Sequence, residues 1–293
     1  MTSRSNFTLV LLAIGALLVG MLSYQCGAAM ARHLFPVVGA EGATAYRLGL
    51  AALILLAWRQ PWRRSHPRKD WRALWGYGLS IGAMNLVFYL SLRTIPLGIA
   101  VALEFTGPLA LALVGSRRWI DLVWVALVLV ALLMLLPLHE QTRSLDPLGV
   151  FLALAAGVGW VLYILLGKKA GASYGADAVA LGTSIGALLA VPIGFAHAGS
   201  ALLSPSLLPF AFGVAVLSSA LPYTLEMVAL THLPSRTFST LLSLEPAFAA
   251  AAGAAFLGER LEPMQWLAIA AIVAAAAGSA LSLRHADPGQ IPP

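Results

Sequence analysis

The chain has 293 residues, of which 60% are hydrophobic and 10% charged, with a mean hydropathy of +0.86. Soluble domains carry about 25% charged residues, so a soluble globule is excluded, and a disordered chain with it. The one cysteine, Cys26, excludes a disulfide framework and a cysteine-based zinc site, and the net charge of +6 fits basic cytoplasmic loops better than nucleic-acid binding.

A membrane-spanning helix needs about 20 mostly apolar residues. Ten such stretches are predicted, at 8–30, 42–58, 73–92, 97–115, 120–138, 148–167, 178–197, 208–230, 236–257 and 263–283. The first is read as a retained helix and not a signal peptide, because its apolar run is long and no small-x-small cleavage site follows. Short links are expected around Arg93–Pro96 and His232–Pro234. Gly78-x-x-x-Gly82 and Gly182-x-x-x-Gly186 are read as close helix contacts, without implying a dimer.

With the N-terminus inside, thirteen Lys and Arg fall in inner segments and four in outer ones. That bias predicts both termini in the cytoplasm. The densest basic cluster, Arg59 to Arg72, has Trp58, Trp62, Trp71 and Trp75 as neighbours, a composition suited to an anchor on anionic lipid headgroups.

Shifting the chain by 138 residues aligns Leu92-Arg93-Thr94-Ile95-Pro96 with Leu230-Thr231-His232-Leu233-Pro234. It also aligns the stretch ending in Gly107-Pro108 with the one ending in Glu245-Pro246. At nearly the same offset Gly39-Ala40-Glu41 matches Gly175-Ala176-Asp177. The chain therefore reads as an all-α membrane protein of two repeats, 1–141 and 142–293. Five helices per repeat is an odd number, so the second repeat enters the membrane inverted. Inverted repeats are a recurring architecture of secondary transporters, with the substrate site near the midplane.

Pro96 to Ala110, with Leu103-Glu104-Phe105-Thr106-Gly107-Pro108 at its centre, resembles the fourth helix of amino-acid exporters in the EamA-type drug/metabolite transporter superfamily. Leu217 to Met227, Leu233-Pro234-Ser235-Arg236-Thr237-Phe238 and Ser243-Leu244-Glu245-Pro246-Ala247 resemble the second half of such proteins. The resemblance runs from about residue 10 to 283. It implies ten helices in two EamA repeats, a bacterial inner-membrane location, and export of small amino acids of the threonine/homoserine class.

Charge at membrane depth is costly and usually faces a cavity or a partner. Four residues qualify: Arg47, Glu104, Glu226 and Glu245. Glu104 lies mid-span, beyond the reach of the interface. It is either a protonated structural carboxyl or a group that receives a substrate ammonium or carries a proton. Gly98 and Gly107 allow close approach beside it. Pro108 leaves the Glu104 carbonyl without its helical donor, a spare acceptor. Glu245, followed by Pro246, is either a second proton carrier or packing beside a kink. Arg47 is either a bidentate partner for a substrate carboxylate, a partner of Glu41, or a side chain reaching outward. Glu226, near a span end, has the same choice between a proton-coupling role and the interface.

Asn85 and Tyr89 share one helix face, and Tyr223 falls opposite Asn85 under the 138-residue shift. With Trp160, Tyr163, Tyr24 and Gln25 they supply a candidate cavity lining, although for any single aromatic plain packing or an interfacial position is the better reading. No G-x-x-x-x-G-K-[ST] or H-E-x-x-H pattern occurs, no hydrolytic triad is suggested, and no cofactor or metal is expected. The reading is a secondary exporter working by alternating access, with a small zwitterionic amino acid and protons as partners. Arg47 would take the carboxylate and Glu104 the ammonium, and Glu104, Glu226 and Glu245 are the candidate proton carriers. Rivals are a same-fold exporter of another metabolite or drug, a membrane-embedded enzyme, and a passive channel.

Overall fold

The computed structural model describes residues 2–64, 70–114, 145–233 and 244–282, together with 123–124, 126–128, 130–131, 134 and 241–242. The helices are α1 (Thr2–Arg32), α2 (Phe35–Arg59), α3 (Trp71–Ser91), α4 (Leu97–Val114), α5 (Pro147–Tyr174) and α6 (Asp177–Ala198). Then comes α7, which runs from Leu208–Ala215 through a wide π turn, Val216–Ala220, into Leu221–His232. The last two are α8 (Glu245–Leu257) and α9 (Pro263–Ser282). No strand occurs among the described residues.

Six of these helices are long and apolar enough to cross a membrane, and α4, α8 and α9 hold shorter apolar stretches. The span expected at 120–138 lies largely outside the described residues, as does the segment 234–240 with Pro234 and Arg236. The span expected at 236–257 is interrupted within its described part. Leu244 is a turn, and helix α8 begins anew at Glu245 with Pro246 in its first turn. Proline is tolerated there because its missing N–H falls where a helix has no donor to satisfy.

Helix α2 packs on α6, and α3 packs on both α5 and α6. Helix α1 packs on α7 and α8, and α4 on α5, α8 and α9. The two glycine pairs meet each other. A Cβ on Gly78 would stand 2.8 Å from the Gly182 carbonyl oxygen, and one on Gly82 would stand 2.8 Å from that of Gly186. Only glycine allows helices this close, and in lipid such contact is a main source of helix association.

Ion pairs tie the helix ends. At one end of α2, Glu41 accepts from Arg93 at 2.5 Å. At the other, Asp177 accepts from Arg59 at 3.0 Å and from Arg64 at 2.6 Å. The glycine two residues before each acid has a positive φ, +70° at Gly39 and +58° at Gly175, a backbone only glycine adopts freely. The sequence match between these two stretches is thus a match of local structure. Beyond α8, Glu259 pairs with Arg32 at the end of α1. Both of its oxygens also accept the Leu97 N–H that opens α4, at 3.0 Å.

Asp146 caps α5, accepting from the N–H groups of Leu148 and Gly149. The Thr94 hydroxyl and these two donors hold its carboxyl below the usual range. Trp58, Trp62, Trp71 and Trp75 are exposed beside the basic cluster.

Candidate functional site

The helices line an open cavity of about 560 Å³, a volume that includes space at its mouth. Three carboxyls line it: Glu104 of α4, Glu226 of α7 and Glu245 of α8. Glu104 and Glu245 are almost fully buried, and both Glu104 and Glu226 lie close enough to Glu245 to act on its charge. Three carboxyls at this depth would cost several kcal/mol if left ionised in hydrocarbon. Around a shared polar cavity they can exchange protons and receive a cation.

Tyr24, Trp160, Tyr163 and Tyr223 complete the polar and aromatic wall, with Gln25, Met21 and Met84 between them. Trp160 stands edge-on to Phe105, with ring centroids 5.9 Å apart. The Tyr163 hydroxyl donates to Glu226 Oε2 at 3.4 Å. Tyr77, which the sequence reading passed over, packs its ring 5.2 Å from that of Tyr163. The signal available in the sequence was its place eight residues before Asn85 on the same predicted helix; its burial is seen only in the fold.

Asn85, Tyr89 and Arg47 are fully buried and stand behind this wall. The Asn85 amide nitrogen donates to Ile81 O at 2.7 Å and to the Tyr223 hydroxyl at 3.0 Å. Arg47 neither reaches outward nor pairs with Glu41, whose carboxylate is held by Arg93. Its Nε and Nη2 both donate to the Ser218 carbonyl, at 3.1 and 2.6 Å. Nε also donates to Ser219 Oγ at 2.7 Å, and Nη2 to the Tyr223 hydroxyl at 3.4 Å. The guanidinium carbon also lies over the Tyr24 and Tyr89 rings, 4.6 and 5.1 Å from their centroids, a geometry that favours a buried cation.

The local sequence explains why that carbonyl is available. Pro222 stands four residues after Ser218 and has no N–H to give it. The π turn widens the helix at the same place, and such turns often mark functional sites. The pairing of Ser218 with Pro222 at i, i+4 is visible in the sequence, and it identifies a free acceptor at membrane depth.

The carbonyl of Glu104, freed in the same way by Pro108, does not serve as a spare acceptor for a ligand. It lies against the backbone of α5, where a Cβ on Gly157 would stand 2.6 Å from it. A Cβ on Gly107 would stand 2.1 Å from the Gly157 oxygen, and one on Gly98 2.9 Å from the Ala250 Cα. The glycines flanking Glu104 therefore admit neighbouring helices. This seats the carboxyl at the crossing of α4 with α5 and α8.

Residues 147–281 match the EamA-like transporter family. The chain is 54% identical over 275 residues to the threonine/homoserine exporter RhtA of Escherichia coli strain K12, covering 94% of this chain and 93% of that protein. Its identity to the exporter of the same name from Salmonella typhimurium strain LT2 is also 54%, over 276 residues, or 94% of each chain. An uncharacterized transporter of Bacillus subtilis, YwfM, is 28% identical over 79% of this chain and 80% of its own. A solved crystal structure with 18% identity superposes with a TM-score of 0.56 over 92% of this chain and 98% of that one, a likeness of fold alone. The chain therefore belongs to the EamA-like transporter family: it is a multi-pass membrane transporter, not an enzyme.

Proposed function

We propose that this protein exports small amino acids of the threonine/homoserine class from the bacterial cytoplasm, by alternating access coupled to inward proton movement. One observation carries the reading: Glu104, Glu226 and Glu245 line one cavity walled by aromatic and hydroxyl groups. The names of the similar exporters in Escherichia coli and Salmonella typhimurium supply the substrate class.

Glu104 receives the substrate ammonium. Arg47 acts on the carboxylate from behind the wall, through Tyr223. The Tyr223 oxygen accepts from two groups that can only donate there, the Arg47 guanidinium and the Asn85 amide nitrogen. Its own proton is then free for another acceptor, and the cavity is where a substrate carboxylate would lie. Tyr24 and Tyr89 hold Arg47 in place, and Trp160 and Tyr163 complete the wall, Tyr163 with its ring centroid 6.4 Å from that of Tyr223. A proton entering from outside neutralises Glu104, displaces the ammonium and moves on through Glu245 and Glu226.

The proposed ten-helix inverted repeat, 1–141 and 142–293, is supported by the packing. If α1 to α4 correspond to α5 to α8, then α3 on α5 corresponds to α7 on α1. Likewise α4 on α5 corresponds to α8 on α1, and α3 on α6 to α7 on α2. All of these pairs pack, and so do the self-matched pairs α2 on α6 and α4 on α8. Asn85 and Tyr223 are 138 residues apart, the repeat offset itself, as expected of partners beside a pseudo-twofold axis. Rocking of one half against the other then exposes the cavity to each side in turn. The excess of Lys and Arg in inner segments supports cytoplasmic termini, with the Arg59 to Arg72 cluster and its tryptophans on the inner lipid surface.

The test is purified protein in liposomes, with threonine inside and an imposed pH gradient. Threonine efflux should rise when the outside is acidic and should carry protons inward. Glu104→Gln should abolish or uncouple it in protein that still folds. Threonine flux indifferent to the gradient would sink the coupling, and no saturable flux would sink the exporter.

A further inference from the structure

Gln25 is fully buried on α1 and lines the cavity beside Tyr24. Neither its Oε1 nor its Nε2 has a hydrogen-bond partner among the described residues. Leaving a buried amide unpaired is expensive, and such groups are rare enough that each calls for a reason. Asn85, the other buried amide nearby, is held in place by its bonds to Ile81 and Tyr223. Gln25 has no such ties, and its amide, a carbonyl acceptor beside an NH2 donor group, is buried and unpartnered on a residue of the cavity lining.

We infer that Gln25 reads the side-chain hydroxyl of the transported amino acid, an inference that rests on the export reading above. The chemistry selects the ligand group. A carboxylate only accepts, and would satisfy Nε2 alone. An ammonium only donates, and would satisfy Oε1 alone. A methyl group satisfies neither. A hydroxyl donates to Oε1 and accepts from Nε2, so it alone among the groups of a small aliphatic amino acid satisfies both. The carboxyls and Tyr223 take the two charged ends of the substrate, which leaves Gln25 for its side chain. A site built to bond a hydroxyl rejects the analogue without it strongly, because the site's polar atoms then stay unpaired.

Valine is threonine with the hydroxyl replaced by a methyl, so the pair isolates this contact. Wild-type protein in liposomes is expected to move threonine at least about tenfold faster than valine at equal concentration. Gln25→Met keeps the length and apolar bulk of the side chain. It should bring the ratio to about one by slowing threonine while valine flux holds or rises. Equal wild-type fluxes overturn the inference, as does a Gln25→Met protein that keeps the threonine preference. Competition of valine, threonine and homoserine for wild-type flux tests the hydroxyl preference without the variant: the two hydroxy acids should compete far better than valine, and equal competition overturns the inference. No flux of any of the three overturns the export reading itself, an outcome distinct from unselective flux.

Discussion

Arg47 donates twice to the Ser218 carbonyl, the acceptor that Pro222 leaves without a helical donor. A guanidinium on α2 thus replaces a missing backbone bond in α7. It is fixed there by a charge-assisted pair, the kind worth about 1.5–3 kcal/mol. Lysine presents one point of donation in place of a fork. Arg47→Lys is therefore expected to lower stability by roughly that amount, read as a drop in melting temperature, and to reduce transport. A variant with wild-type stability would show that the fork is not what joins α2 to α7.

The crossing of α4 and α5 beside Glu104 has no room for a side chain. A methyl on Gly107 or Gly157 would overlap backbone atoms of the opposite helix, and overpacking of this kind costs about 1–3 kcal/mol or more. Gly107→Ala and Gly157→Ala should each reduce both folded yield and transport. Gly213→Ala in α7 is the matched control, since nothing lies within 4 Å of a Cβ there. It should be neutral or stabilise slightly, by up to about 1 kcal/mol of helix propensity. Three variants with the same melting temperature would contradict the close crossing.

The helical membrane architecture was legible because lipid demands it. Apolar runs of span length have few other uses, and the glycine pairs met where their spacing placed them. The three carboxyls were legible for the same reason, as charge at membrane depth stands out. Arg47 was legible as a special residue but not in its role. Two partners and an outward-reaching pose were open to it, and only the fold brings Ser218 within reach. The Glu104 carbonyl misled for a related cause: the sequence shows a donor removed, but not the glycine backbone that fills the space. The break before Glu245 was hidden because Pro246 is tolerated inside a membrane helix as readily as at a helix start.

Glu259 joins three helix ends, pairing with Arg32 and accepting the Leu97 N–H. These two bonds differ in worth. Arg32 is partly exposed, and such pairs contribute about 0–1 kcal/mol. The loss of a side-chain acceptor at a helix start costs about 0.5–2 kcal/mol. Glu259→Ala should therefore destabilise more than Arg32→Ala. Glu259→Gln, which keeps an acceptor for Leu97, should fall between them. Melting temperatures of the three variants check the order, and an Arg32→Ala effect as large as that of Glu259→Ala would assign the joint to the ion pair.

The Tyr223 oxygen already accepts from Arg47 and Asn85, so its proton is free for a carboxylate, and of these three residues it is Tyr223 that lines the cavity. Tyr223→Phe removes that donor and strands the Asn85 and Arg47 groups behind it. Losing a hydrogen bond to a charged group costs about 1.5–3 kcal/mol, which predicts a rise in KM for threonine of roughly 10- to 150-fold. An amino alcohol with the carboxylate reduced to a hydroxymethyl lacks the group that Tyr223 is proposed to read. Its much weaker interaction with the wild-type protein should change little in the variant. Tyr163→Phe, which loses only the bond to Glu226, should leave the preference for the carboxylate intact. KM values for both compounds across the three proteins test this assignment. A Tyr223→Phe effect of equal size on the acid and the alcohol would move carboxylate recognition elsewhere in the cavity.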